Sequence, residues 1–246
     1  MIVNKIGLEA EFFVRDNDGN LIYPQTCGFE SDDFCILGEF RAEPGVTREE
    51  TIGNFMKAYY AVIYKAEKRG VTIDIKDGYS RVDPILYSDI LRKTGTKIIS
   101  NCKNIYDLDI LELTDSEVRG SKVVAHKISC GLHIHFSSMD VKTFKYRHYV
   151  PVGTDKVQLF KEDEERKVVS EGSRITKPVV EYIVETLDND ILKSCISGMP
   201  KLKYRNAGFY EDKTWGIEYR SLPFNQKVLE KIHTIVDASF LLLESL

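Results

Sequence analysis

The chain has 246 residues, 43% of them hydrophobic, with a formal net charge of -4. That length can bury a substantial core as one large domain or two small ones. A pI near 5.8 weighs against a general nucleic-acid binder.

In chain order, Lys5 to Arg15 sets Ile6, Leu8, Ala10 and Phe12 against Gly7, Glu9, Glu11 and Phe13, the period of a half-buried strand. "DNDGN" supplies a turn, and Leu21 to Tyr23 can return as a hairpin partner. A second strand is expected from Cys35 to Glu43, stopped by Pro44 and Gly45. Thr47 before "REE" reads as a helix start, and the apolar spacing continues helically to Gly70. Val71 to Ile75 reads as a short strand. Tyr79 to Thr114 is mixed, with a short helix placed near Pro84 to Arg92.

"SKVVAHKISCGLHIHFSS" reads as a hairpin arm or one long strand. The polar, interrupted segment from about Tyr146 to Ser173 reads as an exposed insertion or flap. A second helix is expected from Thr176 to Asn189, with Pro178 in its first turn. "YRNAGFY" and "TWGIEYRSLP" follow as strand-like segments, and Val228 to Leu246 closes the chain as an amphipathic helix. There is no internal repeat and no low-complexity linker. The pattern predicts one α+β domain in which distant strands build an antiparallel sheet.

Four strand-like segments share one layout. "IGLEAEF" presents Glu9 and Glu11 opposite its apolar side; "ILGEFRAEP" presents Glu39, Arg41 and Glu43; "GLHIHF" presents His133 and His135; "GIEYRSL" presents Glu218 and Arg220. Any one of these faces could be the wet side of an antiparallel sheet. Together they are acidic, imidazole or guanidinium, and none carries lysine. Unit charges about 7 Å apart repel by roughly 2 kcal/mol at an effective dielectric near 20, so Glu9 and Glu11 on an enclosed face need a counter-charge. A divalent cation would supply it. Many carboxylates with few imidazoles favour Mg²⁺ or Mn²⁺, whereas zinc prefers more nitrogen or sulfur. Arginines beside such ions suit a transferring phosphoryl group, which makes ATP chemistry the leading expectation. No phosphate-binding G-x-x-x-x-G-K-[ST] loop and no G-x-G-x-x-G fingerprint is present.

At these residues the sequence resembles the glutamine synthetase and glutamate-cysteine ligase superfamily, most of all the small phage-associated amidoligases, the carboxylate-amine ligases of type 2. The resemblance rests on "GLEAEFF", "DDFCILGEFRAEPG", "CGLHIHFS", "YRNAGFY" and "WGIEYRSLP", in order over nearly the whole chain. It implies a glutamine-synthetase-like catalytic domain: a curved antiparallel sheet, helices on its outer face, and ATP with two or three Mg²⁺ or Mn²⁺ ions on the concave face. By resemblance, Glu9, His133 and Glu218 hold the metal attending the transferred phosphoryl group. Glu11 and Glu39 hold a second, with Asp32 as a further ligand that neighbouring Asp33 could replace. His135 resembles the imidazole that contacts substrate or phosphate, and Arg205 and Arg220 resemble the arginines that grip the phosphates and the acyl phosphate. Two departures stand out. Gly216 occupies the place of a third arginine found in glutamine synthetases, and with the E-x-E strand beginning almost at once, the small amino-terminal domain of those enzymes is not expected here.

The implied activity is ATP-dependent amide formation through an acyl phosphate, with small-molecule or peptide carboxylates and amines as substrates and the 146–173 segment as a candidate lid. Two alternatives remain at this stage: a metal-dependent hydrolase using the H-x-H pair, and a catalytically inactive binding domain of the same fold. Trp215 and the tyrosines of "AYYAVIY" read as packing residues, and His126 and His233 as surface or satisfied core residues. No nucleic-acid or membrane partner is expected: "FLLLESL" is far short of the ~20 apolar residues of a membrane span. The opening "MIVNKIGLEAEFFV" lacks a secretory pattern. With five scattered cysteines read as buried free thiols, this predicts a cytoplasmic protein, in the host cytoplasm if phage-encoded.

Overall fold

The computed structural model describes residues 2–31, 37–82, 126–145, 148–152, 157–161, 166–199, 208, 210–213 and 216–246. The expected helix at Pro84 to Arg92, and the candidates Asp32, Asp33, Arg205 and Trp215, lie outside them.

The fold is α+β. Its centre is an unclosed, antiparallel eight-stranded sheet organised around two long strands, β1 (Ile2–Arg15) and β7 (Gly131–Lys145). They pair from Ile2↔Asp140 to Ala10↔Leu132. On the other edge of β1 lies β3 (Gly38–Arg41), with β2 (Leu21–Ile22) and β4 (Thr72–Asp74) on its C-terminal end. β12 (Gly216–Pro223) pairs with β7 and carries β11 (Tyr210–Lys213) as the outer strand.

Two further antiparallel sheets, of two strands each, are separate from it. β5 (Tyr79–Val82) pairs with β6 (His126–Ser129), and β8 (His148–Val152) with β9 (Val157–Lys161). The stretch expected as a hairpin arm or one strand is thus split at Cys130, β6 and β7 joining different sheets. The segment expected as an insertion is largely strand, and its last part, β10 (Arg166–Ser173), belongs to the main sheet through β7. Pairing between residues distant in sequence carries little local signal, which is why a polar stretch concealed a strand.

Helix α1 (Arg48–Arg69) begins where Thr47 accepts the Glu50 N–H at 3.2 Å, and ends at Gly70 in the left-handed region at φ 65°. α2 (Lys177–Leu187), with Pro178 in its first turn, runs through a π-helical turn (Asp188–Leu192) into α3 (Lys193–Ile196). The closing helix is two pieces, α4 (Gln226–Glu230), capped by Asn225, and α5 (Ile232–Glu244).

Alternation divides the central strands into two faces. On one, Phe12, Phe40, Phe55 and Phe224 meet at ring-centroid distances of 5.3–6.2 Å, joining β1 and β3 to α1. Leu132, Ile134, Phe136 and Tyr219 are buried on the same side of β7 and β12. Tyr219 donates to Asp188 Oδ1 at 2.5 Å, while Gly208 N–H binds Asp188 Oδ2 at 2.6 Å, tying the sheet to the π turn. Gly216 has φ 153°, and a Cβ there would fall 1.9 Å from the Phe136 carbonyl oxygen. The β12–β7 approach therefore excludes any side chain, an arginine included, at that position. Of the α1 tyrosines, Tyr59 packs against the core, but Tyr60 and Tyr64 are exposed and correct the packing assignment. Cys27, Cys130 and Cys195 are buried thiols.

Candidate metal centre

The other face of the same strands carries the charge. Cross-strand register sets Glu9 opposite both Arg41 and His133, Glu11 opposite Glu39, His135 opposite Glu218, and Glu218 opposite Glu211. Neighbours on one face of a sheet lie within side-chain reach, so five strands deliver their polar residues to one place. Relative exposures are 5% for Glu9, 3% for Glu11, 7% for Glu39, 1% for His133 and 4% for Glu218. These groups are buried, which rules out the wet-face reading for them.

His133 is the hub. Its Nδ1 lies 3.0 Å from Glu9 Oε1 and 3.1 Å from Glu218 Oε1, and its Nε2 is 3.9 Å from Glu11 Oε1. One ligand atom each from Glu9, His133 and Glu218 lies within 4.8 Å of the others, a grouping able to hold a metal ion. The remaining oxygens of Glu9 and Glu218 meet basic side chains on neighbouring strands. Glu9 Oε2 meets Arg41 Nε at 2.7 Å and His135 Nε2 at 3.5 Å; Glu218 Oε2 meets Lys213 Nζ at 2.8 Å.

Arg41 also binds Glu39 at 2.6 Å, and Glu211 bridges Lys213 at 2.8 Å and Arg220 at 3.0 Å. Arg220 Nε is 3.5 Å from Glu218 Oε1. Glu11 also braces the start of β7, where its Oε2 accepts the buried Gly131 N–H at 2.6 Å.

Protonation follows from these contacts. Burial of His133 favours the neutral ring, but its hydrogen bonds to Glu218 and Glu9 and the charge of Glu11 outweigh burial and raise its pKa to about 9. Burial pushes Glu218 up; hydrogen bonding and charge from His133, with Lys213 and Arg220, bring it down to about 2. Burial likewise opposes the ionised Glu9, yet His133, His135 and Arg41 hold it well below the usual carboxylate range. In the absence of metal, a proton on His133 is the cation between two carboxylates.

Of the residues expected from the sequence, Glu9, Glu11, Glu39, His133, His135, Glu218 and Arg220 come together on one face. Glu43 instead is exposed beyond the end of β3, where its carbonyl accepts from the Asn54 side chain. Lys213 and Glu211 were missed. Both alternate onto the face of Glu218 once β11 is folded back on β12, a register that four separate strand readings do not reveal. Among the described residues no helix is long and apolar enough to cross a membrane. The sequence matches no family model and no curated protein.

Proposed function

We propose that this chain is a single-domain, ATP-dependent carboxylate-amine ligase of the glutamine-synthetase-like type, working with Mg²⁺ or Mn²⁺ in the cytoplasm. The observation that carries the reading is the buried Glu9–His133–Glu218 group with cationic side chains around it. Its donor set, two carboxylate oxygens and one imidazole nitrogen, suits a hard divalent ion that keeps room for water and phosphate oxygens. A zinc site would carry more nitrogen or sulfur. When bound, such an ion supplies charge neutralisation and a template for the β- and γ-phosphates.

The remaining roles belong to the chain. Arg220, one-third exposed at the rim, binds γ-phosphoryl oxygens as the substrate carboxylate attacks, and then the acyl phosphate. Arg205 shares that grip. His135 is partly exposed beside Glu9 and contacts phosphate or substrate. Glu11 and Glu39 form the side toward the acceptor amine, which displaces phosphate to give the amide; Asp32 is assigned to that side by the resemblance alone. A hydrolase built on H-x-H has less support, because carboxylates fill the space around His133 and His233 is exposed on α5.

The test is ADP release from ATP with Mg²⁺ or Mn²⁺ and a pool of amino acids and short peptides. Stimulation by a carboxylate and an amine together is expected. Glu218→Ala should abolish it with the circular dichroism spectrum unchanged; full activity in that variant removes Glu218 from the mechanism.

A further inference from the structure

We infer that Arg41 and Lys213 are clamps that set the ion selectivity of the Glu9–His133–Glu218 group, leaving each carboxylate one donor oxygen and so favouring Mg²⁺ over Ca²⁺. The inference rests on the reading of that group as a metal site.

The geometry is a mirrored pair. Glu9 and Glu218 each point Oε1 at His133 Nδ1, at 3.0 and 3.1 Å. Each gives Oε2 to a cation on a flanking strand: Arg41 Nε of β3 at 2.7 Å, and Lys213 Nζ of β11 at 2.8 Å. The clamps are themselves tied outward, Arg41 to Glu39 and Lys213 to Glu211. Arg220 approaches Glu218 from the side of its inner oxygen, at 3.5 Å, and is not part of the device.

The chemical consequence concerns denticity. Ca²⁺ takes six to eight oxygens at long range and often uses carboxylates bidentately, whereas Mg²⁺ keeps a tight octahedron with single oxygens and waters. Bidentate binding here requires Oε2 to turn inward, breaking a charge-assisted hydrogen bond beside a carboxylate that is almost fully buried. Mg²⁺ needs no such rotation. Arg41 is 67% exposed and Lys213 26%, so neither fills the core and each is removable without opening it.

Removing a cation strengthens every divalent ion by simple Coulomb attraction, but Mg²⁺ and Ca²⁺ carry the same charge, so that effect cancels in their affinity ratio. The ratio is therefore the readout. Calorimetric titration of Mg²⁺ and Ca²⁺ into the wild type, Arg41→Gln and Lys213→Met should show the preference for Mg²⁺ reduced by roughly tenfold or more in each variant, on the scale at which partners behind a metal ligand alter its binding. Lys213→Arg, which keeps the cation, should retain the wild-type ratio, and thermal melts establish that each variant folds. Mg²⁺ binding with an unchanged ratio in both loss variants would overturn the clamp and leave the metal reading standing. No divalent ion bound by any form of the protein would overturn both.

Discussion

Metal binding at Glu9, His133 and Glu218 should be coupled to the release of one proton. Glu218 titrates near 2 and Glu9 below the usual range, so both ligands are ionised at neutral pH, but His133, near 9, is protonated. An ion can use the imidazole only after that proton leaves. Each pH unit below about 9 therefore weakens apparent affinity tenfold, or ~1.4 kcal/mol, so Mn²⁺ should bind about a hundredfold more weakly at pH 7 than its limiting affinity at high pH. Calorimetry at one pH in two buffers of different ionisation enthalpy counts the released proton directly.

Stability of the metal-free protein must run the other way. A raised His133 stabilises fully below 6.5 and loses its contribution as pH rises through about 9; a lowered Glu218 stabilises above 4.5 and loses its contribution as pH falls through about 2. The shift in Tm produced by Mn²⁺ should therefore grow with pH between about 6.5 and 8.5. Affinity that is flat across that interval, with no proton released, would refute the proton-bridged group.

Gly216→Ala should destabilise by at least roughly 1–3 kcal/mol in urea unfolding, because the new Cβ meets the Phe136 carbonyl and the backbone sits at φ 153°. Tyr219→Phe should cost about 1–3 kcal/mol by removing a buried partner of Asp188. Burial, with the hydrogen bond and charge of Asp188, raises the Tyr219 pKa, so its contribution is complete below 10 and lost above it; wild-type stability should fall more steeply than the variant's as pH rises past 10. Thr47→Ala should cost about 1 kcal/mol through the lost cap of α1, read from the denaturation midpoint.

The face that carries the site was legible because strands alternate: Glu9 and Glu11, His133 and His135, and Glu218 and Arg220 each advertise one side by period two alone. Helix α1 was legible from its ends, Thr47 and Gly70, as much as from its spacing. What escaped was long-range. β10 reads as a polar interruption until it is paired with β7, and Lys213 gains meaning only from the register that sets Glu211 beside Glu218. The four strands read as one layout carry no lysine on the acidic face; Lys213 comes to it from a fifth, β11. Tyr60 and Tyr64 were misread because an aromatic run cannot be buried on every side of a surface helix.

Burial of these charges is itself an argument for function. A carboxylate taken from water carries a penalty of several kcal/mol that its ion pairs only partly offset, and apolar replacements of such pairs are often as stable or more so. Glu9, Glu39 and Glu218 could thus be exchanged for a conventional apolar face at little cost to folding. The chain instead supplies Arg41, Lys213 and a protonated His133 to hold Glu9 and Glu218 ionised, with Arg41 also paired to Glu39. Glu11 differs: with one oxygen on the Gly131 N–H, it has a structural partner that would be orphaned by its removal. Loss of Glu11 should therefore cost stability with or without metal, whereas loss of Glu218 should in addition remove metal binding, which distinguishes a brace of β7 from a ligand of the Glu9–His133–Glu218 group.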